Sequence, residues 1–421
     1  MLPSTTNTTN MPVTYPIPPG VHALPPSSLD LCPDSEIDDI LLHPPPVTST
    51  KNIWFFWNTG YTTLHPYLKR NIRAWHRRFA PNWTIRVLDV APNSALHISN
   101  FLDTTDSTLF PRAFTEGTLT GTYAPQHTSD LARFPLLLRY GGIYADTGFM
   151  QIGDLDALWN ATVGDPASPF EVLSYNSGGP QNRSLTNYFM GSLPENPFFA
   201  RCHALLLALW AEDGGKTSTK GMCDSALLRG VPHMGKTFGL PAIVGDDGEH
   251  LDSEAVGRLL TDYIIQGQAM TMVCGIVDEE GEWDGPRYCA EHVFAIDYMV
   301  GSQLINEMTA WDGEKAFRLM SLRIPGEGEK ESEDQKQARE IVEGCLSRSF
   351  GFKLAHGLII KVLGQTLGSL WRANEGSDDV EGTYAHWLRY GMVHWCPEKL
   401  PPREEWKVEE PIKRGFLLRE S

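Results

Sequence analysis

The chain contains no apolar run near the roughly 18 residues needed to cross a bilayer, and its N-terminal stretch lacks a charged segment followed by an apolar core. No transmembrane segment or secretory leader is therefore expected, and the location is read as cytoplasmic or left open. Basic residues are in short supply, with 35 Lys and Arg against 52 Asp and Glu and a net charge of −17. A duplex binder needs a basic footprint over its surface, so nucleic acid is not an expected partner. A phosphorylated ligand would instead need a local basic pocket. Paired cysteines are missing too. Cys32, Cys202, Cys223, Cys274, Cys289, Cys345 and Cys396 are odd in number and scattered, with no C-x-x-C among them. That pattern points to neither a disulfide scaffold nor a zinc site. Sequons at Asn7, Asn82, Asn160 and Asn182 carry little weight in a chain rich in Ser and Thr.

What is present is globular composition, 41% hydrophobic and 10% aromatic over 421 residues, enough for one large α/β domain with appendages or for two domains. Residues 1–48 are rich in Pro, Ser and Thr and predict a poorly ordered arm, within which residues 31–42 could dock as a short helix. Residues 52–57 (NIWFFW) predict a strand buried on both faces. Leu64, Leu68, Ile72, Trp75 and Phe79 follow at helical spacing, and residues 83–88 predict a second strand. Strand, helix, strand in so short a span opens a nucleotide-binding α/β layer. Residues 170–175 and 186–191 predict further strands, and residues 198–210 a helix. The charged stretch 324–343 reads as solvated loop and helix, separating this core from two C-terminal helices over 352–371 and 384–395. The basic residues Lys69, Arg70, Arg73, Arg77 and Arg78 lie on different faces of their helix and read as solvated charge.

Residues 127–149 (HTSDLARFPLLLRYGGIYADTGF) concentrate the chemistry. Asp130 is read as opening a helix and Asp146 as ending a strand, the edge where open α/β sheets bind ligands. Asp130 and Arg133 share one helix face, which also fits a plain helix start with a local ion pair. If the helix is continuous, Pro135 predicts a kink over residues 131–135. Gly141 and Gly142 supply the positive φ angles of an abrupt helix end, a structural role. Asp146-Thr147-Gly148 is also the triplet of aspartic proteases, but that mechanism needs a second carboxylate, no second copy occurs, and Phe149 occupies the place of the usual Ser or Thr.

Ser129, Asp130, Arg133, Tyr140, Gly141, Gly142, Ile143, Tyr144 and Asp146 together resemble the central motif of glycosyltransferases with a DXD-type signature, in particular the fungal relatives of capsular-polysaccharide synthesis proteins. The resemblance spans residues 50–310 and, more weakly, 350–395. It implies an α/β, GT-A type Rossmann-like fold with a mixed, mainly parallel sheet flanked by helices. The arm would cover residues 1–48, the catalytic domain 49–322, and a charged linker with a helical extension 323–421. The implied reaction moves a hexose from a nucleotide diphosphate sugar to a glycan or other hydroxyl acceptor, with retention of configuration.

The same resemblance implies site roles. Asp130 would contact ribose or sugar hydroxyls with Arg133 orienting it, while Asp146 would hold the donor and ligate Mn²⁺ or Mg²⁺. Trp54, Trp57 and Asn58 would meet the base, though a core position is the commoner fate of such a Trp; Tyr144 would join the donor-binding set, and Asn187 would face the acceptor or donor sugar. Late in the chain, Lys353 would clamp the diphosphate and His356 would add a metal ligand. A metal or fixed cations must neutralise the charge that collects on the leaving diphosphate. The chain departs from the strict motif at Gly148, which supplies no ligand. Asp154 and Asp156 are the nearby carboxylates that could replace it. The departure also leaves open a nucleotide-sugar-binding protein that has lost catalysis.

Overall fold

The computed structural model describes residues 14–178, 183–235, 239–245 and 248–418; the sequons at Asn7 and Asn182 lie outside them. The predicted opening unit is there as β1 (Asn52–Phe56), α1 (Pro66–Phe79) and β2 (Thr84–Leu88). Pro66 sits in the first turn of α1, where a missing N–H costs nothing. Leu68, Ile72, Trp75 and Phe79 form its buried face. Then follow β3 (Gly142–Ala145), the short β4 (Phe149–Gln151), β5 (Val172–Asn176), β6 (Leu185–Ser192), β7 (Val293–Asp297) and β8 (Gly351–Lys353).

The main sheet has the order β7-β5-β6-β3-β1-β2. It is mainly parallel, as expected, with β6 alone running against both of its neighbours. Ile53, Phe55, Ile143 and Ala145 pack on the α1 side of the sheet. Trp54, Phe56 and Tyr144 pack on the other side, beneath α2 (Ala124–Tyr140), α3 (Pro197–Ala211) and α4 (Ile265–Gly275). Burial on both faces is why β1 is an unbroken apolar run rather than an alternating one. Among the described residues no helix is long and apolar enough to cross a membrane.

Several expectations need correction. Helix α2 begins at Ala124, so Asp130 lies in its second turn and does not open it. The helix does run through Pro135 as one element to Tyr140, the continuous case for which a kink is expected. Gly141 (φ 64°) ends it and Gly142 (φ 95°) starts β3, where an added Cβ would meet the Asn52 carbonyl oxygen at 2.3 Å. The helix predicted over 352–371 is instead strand β8, a turn at Gly357, a helix at Leu358–Leu363, and a second helix at Leu367–Ala373 after Gly364. Those two glycines, at φ 65° and 82°, break the helical run.

Residues 14–48 are pinned rather than loose. Val21–Ala23 pairs antiparallel with Trp395–Pro397, and a helix over Asp34–Leu42 buries Ile37 and Leu41. The arginines of α1 are its struts, not solvated charge, whereas Lys69 stays at the surface and donates to the Thr62 carbonyl at 2.9 Å. Arg73 pairs with Asp34 and Asp38, and Arg77 with Asp34. Arg78 is buried and donates to the Ile152 carbonyl at 2.5 Å. Arg70 pairs with the fully buried Asp378, which also meets Arg389 of α5 (Tyr384–His394) at 2.5 Å. Helical spacing cannot reveal such partners, because they come from distant parts of the chain.

Removing one member of a buried charge group strands the others, at a cost of about 3–5 kcal/mol. Asp378→Asn is therefore expected to lower the urea midpoint by a corresponding amount. Burial opposes ionisation of Asp378, but Arg389 and Arg70 outweigh it and hold the carboxyl below its ordinary range. Its contribution is accordingly full above the unfolded carboxylate pKa of about 3.9 and lost as pH falls below it. Urea midpoints measured from pH 6 to pH 3 should fall more steeply in the wild type than in Asp378→Asn; parallel curves would refute the assignment.

Candidate active site

The C-terminal ends of β1 and β3 and the start of the reversed β6 lie on one edge of the sheet. This edge carries Trp57 and Asn58, Asp146, and Asn187 respectively. After Asp146 the chain turns tightly, with Phe149 N–H donating to the Asp146 carbonyl at 2.9 Å, and continues as β4. Strand β8 pairs antiparallel with β4, Lys353 opposite Phe149, and Leu354 N–H donates to the Gly148 carbonyl at 2.9 Å. Pairing in this register delivers Lys353 and His356 to the Asp146 turn.

At the centre, Arg133 reaches from α2 between two carboxylates, 3.0 Å from Asp130 Oδ1 and 3.0 Å from Asp146 Oδ1. It also donates to the Asn187 carbonyl at 2.8 Å. Lys353 Nζ takes the other oxygen of Asp146, at 2.8 Å. Burial would raise the Asp146 pKa, but Lys353 and Arg133 outweigh it and hold the carboxyl below its usual range. It is ionised at neutral pH. Asp130 is held further by His127 Nδ1 at 3.3 Å and Asn187 Nδ2 at 3.4 Å.

Asp130, Arg133, Asp146, Asn187 and Lys353 are thus one contiguous polar group, and His356 adjoins it. Its ring is wedged between two glycines. A Cβ on Gly148 would stand 3.0 Å from His356 Nε2, and one on Gly368 would stand 2.8 Å from its Cε1. Burial, with the charges of Lys353 and Arg372, pushes His356 down to about 3, so the imidazole is neutral near pH 7. Its Nε2 lies 3.2 Å from the Tyr67 hydroxyl.

Two expected ligand contacts are not available. Trp54 is fully buried, donates Nε1–H to the Gly141 carbonyl at 2.9 Å, and packs between Phe101 and Tyr140. Tyr144 is also fully buried, with its hydroxyl 2.7 Å from Ser129 Oγ and its ring 4.7 Å from the Arg133 guanidinium. It supports Arg133 from beneath. Trp57 and Asn58 are half-buried at the end of β1, where Trp57 Nε1 donates to Thr63 Oγ1 at 3.1 Å.

The sequence reading missed Gln266 and Tyr263. The Gln266 amide donates to the Asp130 carbonyl at 2.7 Å and accepts from Asn187 at 3.1 Å, tying α4 to the site. Gln266 and Gln268 inside the otherwise apolar α4 were the signal. Tyr263 lies beside both site carboxylates and packs so tightly on Gly357 that a Cβ there would sit 2.3 Å from its hydroxyl. No local pattern marks it.

A divalent cation does not suit this residue set. Both oxygens of Asp146 are taken by cations, Gly148 offers no ligand, and His356 fills the space beside it. Asp154 caps the Leu155–Ala161 helix, and Asp156 binds Lys51 and Trp83 at the opposite edge of the sheet, so neither replaces the missing acid. Among the described residues, the grouping with three clustered metal-type ligands is Cys223, Asp224 and His233, none of them a member of the Asp146 cluster, and Asp224 is ion-paired to Arg258.

Residues 37–216 match the family described as capsular polysaccharide synthesis protein. Over 412 residues the chain is 33% identical to O-glycosyltransferase braB of Annulohypoxylon truncatum, covering 95% of this chain and 94% of that one. The chain belongs to this family of glycosyltransferases. Glycosyltransferase afumC of Aspergillus fumigatus is 32% identical, covering 84% of this chain and 87% of its own. A probable glycosyltransferase, FCK3 of Fusarium pseudograminearum, is 32% identical over 92% and 95%. The chain is an enzyme of this class, which removes the protease reading.

The wedge of His356 between Gly148 and Gly368 gives a direct test. Gly148→Asp, which restores an acid to the motif, should destabilise the fold by about 1–3 kcal/mol through overpacking. His356→Ala in the same chain should relieve it, giving a coupling of at least about 0.5 kcal/mol in a double-mutant cycle of urea midpoints. Additive effects would place His356 elsewhere.

Proposed function

We propose that the enzyme is a GT-A type transferase that moves a hexose from a nucleotide diphosphate sugar to a hydroxyl acceptor with retention. The observation that carries this reading is the convergence of Asp146, Arg133, Asp130 and Lys353 at the C-terminal edge of a mainly parallel sheet, where such folds bind nucleotides. The single reversed strand β6, which brings Asn187 to that edge, supports the GT-A reading.

In this scheme Trp57 and Asn58 receive the base, and Asp130 with Asn187 meets ribose or sugar hydroxyls. Asp146 holds the donor through the cations that flank it. Arg133 is a positioning residue, fixed by Tyr144 beneath and by the Asn187 carbonyl beside it. Both site carboxylates are engaged with cations, so neither is a free base for the acceptor; this favours retention, which requires no dedicated base there. The name O-glycosyltransferase borne by braB supports a hydroxyl acceptor.

The test is a panel of UDP- and GDP-hexoses incubated with purified enzyme, with hydrolysis of the donor and transfer to phenolic and glycan hydroxyls both measured. Turnover of one donor, with the anomeric configuration preserved in the product, is expected. Asp146→Asn should lower kcat/KM for that donor by about 10²-fold or more while circular dichroism is unchanged. Full activity in that variant would refute the placement of the site.

A further inference from the structure

The residues around Asp146 pose an electrostatic question that the motif alone hides. As the donor's glycosidic bond breaks, negative charge gathers on the diphosphate and must be met by fixed positive charge. Where a metal site would need a second acid, this chain has Gly148, with the His356 imidazole filling the adjoining space. Where a metal would sit against Asp146, the chain already holds an ammonium, Lys353 Nζ at 2.8 Å from Oδ2, with the Arg133 guanidinium on Oδ1 at 3.0 Å. A dication added there would face two cations at close range.

The local balance of charge agrees. In a chain whose net charge is −17, Arg133 and Lys353 match the carboxylates of Asp130 and Asp146, so the cluster is neutral rather than acidic. The side chains of Lys353 and Asp146 retain 15% and 25% of their exposure, so this end of the ion pair is open, whereas Arg133 at 7% is enclosed. An ammonium has three donors and the contact with Asp146 uses one of them. Strand pairing between β4 and β8 fixes the lysine at the turn.

We infer that Lys353, anchored on Asp146, takes the place of a divalent metal in this enzyme, so that its sugar transfer is metal-independent. This rests on the nucleotide-sugar reading above. In the step, the bond from the sugar C1 to the diphosphate oxygen breaks and its electron pair stays on that oxygen, where the Lys353 ammonium meets the charge. The acceptor oxygen bonds to C1 on the same face, and its proton passes to the departing diphosphate.

The experiment uses the full chain and the donor found with the panel, after exhaustive dialysis against EDTA, with and without added Mn²⁺ or Mg²⁺. Wild-type turnover is expected to be the same within about twofold in all three conditions. Lys353→Met should lower kcat by about 10²–10³-fold and weaken binding of the product nucleotide diphosphate by at least about tenfold in calorimetry, with no rescue by Mn²⁺. Lys353→Arg, which keeps the charge, should retain more activity than Lys353→Met, and thermal melts of both variants establish that they fold. Wild-type turnover that chelator abolishes and Mn²⁺ restores would overturn the inference while leaving the transferase reading intact. No turnover of any donor, with or without metal, would overturn both.

Discussion

The pairing of β4 with β8, three residues against three, is the constraint on which the site depends. It is the point where the end of the β3 turn meets a segment from the far side of the chain. Without it Asp146 would keep only Arg133, and the basic end of the site would be absent. Because the pairing is antiparallel and in fixed register, Lys353 faces Phe149 and the following residues fold back over the turn, placing His356 beside Gly148. The site is therefore built jointly by the sheet and by the C-terminal region.

Charge is organised to protect this arrangement. The acidic chain has collected arginine and lysine at one sheet edge and used the arginines of α1 as struts. Arg70, Arg73, Arg77 and Arg78 hold the arm, the β4 turn and the C-terminal helices to α1. Each is tied to a carboxylate or carbonyl that orients it. The Arg133 guanidinium obeys the same rule at the site, fixed by Asp130, Asp146, the Asn187 carbonyl and the face of Tyr144.

Gly148 shows how a motif can be misread without its surroundings. From the sequence it is a missing ligand, and the natural search is for a replacement acid nearby, Asp154 or Asp156. In the fold those carboxylates serve a helix cap and a distant ion pair, and the glycine leaves room for an imidazole. The absence of a side chain is itself the accommodation.

Periodicity and burial were legible in the sequence: β1 as an apolar run buried on both faces, α1 from its helical spacing, and the Gly141-Gly142 break before β3. The short-range chemistry was legible too, since Asp130 and Arg133 are one helical turn apart and pair as that spacing requires. Trp54 is the core indole that a strand buried on both faces favours rather than a contact for the base, since its Nε1–H and ring are already taken by Gly141, Phe101 and Tyr140. Residues 352–371 looked helical because apolar spacing does not register the two glycines that break the run, and β8 gained its form from pairing with β4. The sequence by itself determined the layered α/β core and the Asp130, Arg133 and Asp146 centre, because these follow from local period and from one continuous segment. The tertiary structure decided the pinned arm, the entry of Gln266 and Tyr263, and the meeting of Lys353 and His356 with the Asp146 turn, because each depends on residues far apart in the chain whose contact no local pattern encodes.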